Sequence, residues 1–228
     1  MTDRRANGDR RDIRHGGRRR HDAAADCVWL PRNWTPTPQY PCLVAIDDGA
    51  DWRLTGRLFC DACAGQPLVV LAPNITAHTT DSLIEWIRGV RRGCGGGGSY
   101  FVYGRGRAAP AAVSLALREP ASIAALVLVS PPAGVAWTAD GQHPGGNGAA
   151  PTIAVRAIFG AADPDLDERL HAWRESAAAA QRAGFRHLGL TIVNGTAESC
   201  FIEEALRFFA VARVSASANS AATTPSGS

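Results

Sequence analysis

Tyr100-Phe101-Val102-Tyr103-Gly104-Arg105-Gly106-Arg107-Ala108-Ala109-Pro110-Ala111-Ala112-Val113 decides the fold. Tyr100–Tyr103 is aromatic and β-branched, the composition of a strand. Gly104 and Gly106 mark a tight turn, because glycine reaches backbone angles that other residues avoid. The run Arg107–Glu119 is rich in alanine and leucine and reads as a helix. Pro110 is tolerated there because it lies in the first turn. A strand, a sharp turn and a helix form the first half of a parallel crossover unit.

The same alternation continues on both sides. Downstream, Ala125–Ser130 (ALVLVS) is a continuous apolar run, as expected of a strand buried on both faces. Thr152–Phe159 and His187–Val193 follow as strands, with helices expected over Asp167–Ala183, ended by Gly184, and over Cys200–Val211. Upstream, Cys42–Ile46 (CLVAI) and Pro67–Ala72 (PLVVLA) are buried strands, and Cys27–Leu30 is a short one. Helices are expected over Arg53–Ala64 and from Asp81 to Arg92, the latter capped by Asp81 or Thr80. Leu83, Ile84, Ile87 and Val90 fall at helical spacing on it. Strands separated by helices imply an α/β fold: a mostly parallel central sheet flanked by helices on both faces.

Residues 27–213 therefore read as one α/β unit between two tails. Residues 1–26 and 214–228 have the composition of disordered segments. Gly93–Ser99 (GCGGGGS) reads as a flexible turn, and the Gly/Pro-rich Gly134–Pro151 as an excursion from the core.

All 24 basic residues are arginine, and the net charge of +3 is unevenly spread. Residues 1–26 hold eight arginines against five aspartates, and charge cancels over the rest. Such a tail offers a contact for nucleic acid or an acidic surface. A solvated arm is the simpler reading. No apolar run has the length of a membrane span, and no apolar stretch follows the basic N-terminus, so a cytoplasmic protein is expected.

The six cysteines include one Cys60-Asp61-Ala62-Cys63 pair. A zinc site needs a second pair or nearby histidines, and none is close in sequence. A redox CxxC opens a helix after a strand. This one falls late in the expected helix, where positions i and i+3 share a face, so a packing role is expected. No metal and no cofactor is implied.

Several segments, in order, resemble the α/β-hydrolase superfamily, in particular compact esterases and polyhydroxybutyrate-depolymerase-like or dienelactone-hydrolase-like members. Val28–Gly49 (VWLPRNWTPTPQYPCLVAIDDG) is similar to their opening strand, Tyr-Pro turn and second strand. Phe101–Pro132 resembles their nucleophile elbow, the following helix and the next strand. Ile158–Phe185 resembles the strand, acid loop and helix that deliver the triad carboxylate. Asn194–Ser199 (NGTAES) stands where the histidine loop belongs.

In that family the elbow reads G-x-S-x-G. The serine attacks, a histidine takes its proton and an acid orients the histidine. The resemblance places Gly106 at the nucleophile, Asp163 at the acid and Glu198 near the histidine. The usual His-Gly that supplies an oxyanion donor is replaced by Asp47-Asp48-Gly49, bringing negative charge to the developing oxyanion. Loss of nucleophile or base alone costs several orders of magnitude in rate. The chain is therefore expected to be a catalytically inactive hydrolase homologue that binds a small molecule or a protein partner.

Other residues offer alternatives. Ser130 lies at the C-terminal end of a strand, where sites form in open α/β sheets. A relocated serine or cysteine nucleophile there would make an active ester hydrolase. His78 and His143 are loop histidines that would have to reach the same rim. Asp47, Asp48, Asp163 and Glu198 would together suit a cation, or stand apart and be partly neutralised by Arg105 and Arg107. Gly104-x-Gly106 before a helix also suggests phosphate, but lacks the third glycine and later acid of a dinucleotide site. The candidate binding residues are thus Asp47, Asp48, Gly49, Arg105, Arg107 and Ser130.

Overall fold

A run such as CLVAI buries every side chain only where both sheet faces are covered, and that is where it lies; IAALVLV does the same at all but Ala124. The computed structural model describes residues 26–35, 39–49, 52–63, 66–137, 153–183, 185, 187–195 and 198–222, with 214–222 described by their backbone path alone. The expected tail over 1–25, most of the Gly/Pro-rich excursion and His143 lie outside the described residues.

Seven strands are described: β1 (Cys27–Trp29), β2 (Cys42–Ile46), β3 (Val69–Ala72), β4 (Tyr100–Arg105), β5 (Ile123–Val129), β6 (Ala154–Gly160) and β7 (His187–Val193). Five helices are interleaved: α1 (Trp52–Ala62), α2 (Thr80–Gly93), α3 (Ala109–Arg118), α4 (Leu166–Arg182) and α5 (Glu198–Ala222). The sheet order is β1-β3-β2-β4-β5-β6-β7, and only β1 runs antiparallel to its neighbour.

Alternate side chains build two cores. Val44, Ile46, Val102, Leu126, Leu128, Val155 and Phe159 pack under α2, α3 and α4. Leu43, Ala45, Tyr103, Val127, Val129 and Ile158 pack under Phe59 of α1 and Phe201, Ile202 and Phe209 of α5. Each fully buried Leu, Ile or Phe stabilises the fold by about 1.5–3 kcal/mol relative to exposure.

Several boundaries differ from expectation. β4 extends through Arg105, so the turn begins only at Gly106, and a 3₁₀ turn over Gly106–Ala108 precedes α3. The cap of α2 is Thr79, not Thr80 or Asp81; its side chain accepts from the Ser82 amide, and the Ser82 side chain accepts from the Thr79 amide. Serine in place of the usual Glu or Gln hides that capping box from a motif search. The last helix runs from Glu198 to Ala222 rather than Cys200–Val211, into the segment expected to be disordered. Its extension, rich in alanine and serine, contains no glycine or proline to stop it.

Candidate functional site: the C-terminal rim of the sheet

The ends of β2, β4, β5 and β6 and the start of α5 meet at one rim. Register places Arg105 beside Val129, so Gly106 and Ser130 are the first residues past the ends of the adjacent strands β4 and β5. Gly160 and Val193 are likewise paired, and Ala161 donates to the Val193 carbonyl at 2.8 Å. The acid loop after β6 and the loop after β7 therefore emerge together.

The elbow backbone is close-packed. A Cβ on Gly104 would lie 2.5 Å from the Ala112 Cβ and 3.2 Å from the Ala109 Cα. Only glycine lets α3 approach β4 this closely. Gly106 has φ +52°, the left-handed turn conformation, and its missing Cβ would sit 3.0 Å from Asp48 Oδ1. Ala108 and Ala109 are fully buried behind the turn.

Asp48 fills the space in front of that turn. Its Oδ2 accepts from the Arg107 backbone N–H at 3.0 Å and from Arg107 Nε at 2.9 Å. Arg107 follows Gly106, the residue that the resemblance places at the nucleophile, and in an elbow of the G-x-S-x-G type the amide after the nucleophile binds the oxyanion. Here a carboxylate of the same chain already holds it.

Beneath lies a second cluster. Asp47 is buried, 4% exposed. It accepts from the Gly49 amide at 2.8 Å, from the Thr55 hydroxyl, and from Arg105 at 3.4 Å. The other terminal nitrogen of Arg105 pairs with Glu198 Oε2 at 2.8 Å. Glu198 Oε1 accepts from the Tyr103 hydroxyl at 3.2 Å. Burial pushes the Glu198 carboxyl up from its ordinary value; Arg105 opposes this and Asp47 adds to it. Burial works against the Arg105 charge, but Glu198 and Asp47 together hold it above the usual arginine value. Burial, then the Glu198 charge, keeps the Tyr103 phenol protonated.

The third group is Ser130 with Asp163. The Ser130 hydroxyl donates to Asp163 Oδ2 at 2.5 Å, and the Gly160 amide donates to the same oxygen at 3.1 Å. Ser130 has φ +42°, unusual for a residue with a side chain. Its amide donates to the Ile158 carbonyl at 2.8 Å, which holds that turn in place.

The four carboxylates are thus divided. Asp47 and Glu198 share Arg105, Asp48 takes Arg107, and Asp163 takes Ser130. Among the described residues no group of three or more His, Cys, Asp or Glu is arranged to hold a metal ion. His78 does not reach this cluster. It sits past β3, where its Nε2 is 3.0 Å from both oxygens of Asp26 and its Nδ1 is 3.4 Å from the Ser82 hydroxyl at the start of α2. Cys60 and Cys63 are free thiols at the end of α1, and burial raises the Cys63 pKa to about 11. Thr55 and Tyr103 also belong to the rim, and nothing local in the sequence marks them. Tyr103 faces inward along β4 like a core aromatic, and only the proximity of Glu198 gives its hydroxyl a purpose.

This architecture is the α/β-hydrolase fold. The chain is similar to esterase 2 of Thermogutta terrifontis phosphoramylated by tabun, with TM-score 0.59 and 16% identity, over 83% of this chain and 88% of that one. It is also similar to Est1E from Butyrivibrio proteoclasticus, with TM-score 0.54 and 12% identity, over 83% and 94% of the two chains. No family model matches the sequence, and no curated protein matches it. At these identities the likeness establishes the fold alone. Among the described residues no helix is long and apolar enough to cross a membrane.

Proposed function

We propose that this chain is an esterase-fold protein that does not hydrolyse esters and acts by binding a small molecule or a protein partner at its rim. The observation that carries this reading is Asp48 on the Arg107 amide. An anionic intermediate developing there would meet a fixed carboxylate instead of a free donor, which inverts the electrostatics that acyl transfer needs. Gly106 offers no nucleophile. Glu198, near the base position, is engaged by Arg105 and Tyr103 and has no imidazole's capacity to shuttle a proton near neutral pH.

Purified protein incubated with short p-nitrophenyl esters is expected to give the background rate. Turnover far above it, abolished by one specific substitution, would overturn the proposal.

One observation favours a second reading, an ester hydrolase with Ser130 as relocated nucleophile. Ser130 combines a positive φ with a short hydrogen bond to a carboxylate, both found in activated serines. Against it, that hydrogen bond directs the proton to Asp163, a weak base compared with histidine. A fluorophosphonate probe followed by peptide mapping separates the two: label on Ser130 supports the second reading, and no label supports the first.

A further inference from the structure

β7 ends the sheet, and its outer edge has no neighbouring strand among the described residues. The Val193 carbonyl accepts from Ala161, so it faces β6. Backbone polar groups alternate in direction along a strand. His187, Gly189, Thr191 and Val193 therefore direct theirs toward β6, while Leu188, Leu190 and Ile192 direct theirs outward.

The side chains of those three residues share one face, opposite Val155, Ala157 and Phe159. Leu188 packs against the core beneath α4. Leu190 and Ile192 are 37% and 45% exposed, two of the four large hydrophobics left exposed among the described residues. Edge strands are normally blunted by lysine, proline, a bulge or shortness. The opposite edge, β1, is three residues long. β7 is seven residues long, HLGLTIV, with no lysine, proline or carboxylate.

We propose that β7 pairs antiparallel with β7 of a second copy of this chain, across a two-fold axis at Leu190, making one continuous sheet. The strand is self-complementary about that point. Leu190 faces Leu190, Leu188 faces Ile192, and each of these pairs directs its backbone groups at its partner, as hydrogen-bonded antiparallel pairs require. One apolar row results, formed by Leu188, Leu190 and Ile192 of both copies. On the other face Gly189 meets Thr191, and the Arg156 guanidinium of each copy, which donates to Thr191 Oγ1 at 2.9 Å, lies over that pair beside the axis. A one-residue slip sets outward-directed residues against inward-directed ones and breaks the ladder. The interface is isologous, so it closes at two copies.

Sedimentation equilibrium of the full chain at micromolar concentration tests this. The expected mass is twice 24.0 kDa. Leu190→Pro removes an outward N–H without touching the β6 ladder, and Ile192→Glu places a charge in the apolar row; both should be monomeric with unchanged circular dichroism. Paired Leu190 Cα atoms would be about 5.5 Å apart, within disulfide reach. Leu190→Cys should therefore cross-link under mild oxidation, whereas Leu54→Cys on α1, similarly exposed, should not. A monomeric wild type without cross-linking at Leu190→Cys overturns the proposal; residues 138–152 of the same chain then become the occupant to test. A dimer whose mass survives both edge substitutions overturns it equally, because the contact then lies elsewhere.

Discussion

The β5–β6 side of the rim and the β2–β4 side engage their carboxylates in different ways. On the β5–β6 side, Asp163 is held by the Ser130 hydroxyl and the Gly160 backbone amide. On the β2–β4 side Gly104 admits α3 and Gly106 holds the left-handed turn. The space in front of that turn is filled by arginine–carboxylate pairs, Asp48 with Arg107 and Asp47 with Arg105. The comparison teaches that a turn and its chemistry are separable. The close approach of helix and strand depends on glycine, whereas catalysis depends on which charges fill the space in front.

The largest effect is expected from Asp47→Ala. It removes a buried carboxylate from Thr55, Gly49 and Arg105. Loss of one partner from such a pair costs about 3–5 kcal/mol; because Arg105 is 37% exposed and keeps Glu198, the lower end is expected. Urea denaturation measures it, and a loss below 1 kcal/mol would show the pair to be ornamental. Gly104→Ala comes next. The new methyl would press on Ala112 and the Ala109 backbone, and overpacking of this kind costs about 1–3 kcal/mol. A neutral result would show that the elbow backbone is looser than the packing implies.

A smaller effect distinguishes the cluster by pH. Burial raises the Glu198 pKa above its unfolded value. The folded state then binds more protons than the unfolded state between those two pKa values, so stability falls as pH rises through that window. Glu198→Gln should remove this slope while leaving the Tyr103 hydroxyl an acceptor. A pH profile unchanged by the substitution would mean that Arg105 fully compensates the burial.

Much of this fold is legible in the chain because its signals are local. CLVAI, ALVLVS and HLGLTIV announce strands through composition, and Gly104-Arg105-Gly106 announces the turn within three residues. The side chains at the rim are legible as candidates but not as partners. Asp48 meets Arg107 across 59 residues and Tyr103 meets Glu198 across 95. Those meetings depend on β2 lying beside β4 and on where α5 begins, and no local pattern encodes them. Thr55 is invisible for the same reason, since its role exists only once Asp47 is buried above α1. The Thr79 cap is local, yet serine in place of glutamate disguises it.

The proposed inactivity requires that the turn at Gly106 lack a usable base and a free oxyanion donor, not merely a serine. Gly106→Ser supplies the missing hydroxyl at about 1–2 kcal/mol of backbone strain, since φ is +52° there. The direct measurement is p-nitrophenyl ester hydrolysis by that single variant, beside the wild type. The account predicts the background rate for both. Turnover by Gly106→Ser well above that rate would contradict it, by showing that a histidine reaches the elbow and that Asp48 yields the Arg107 amide.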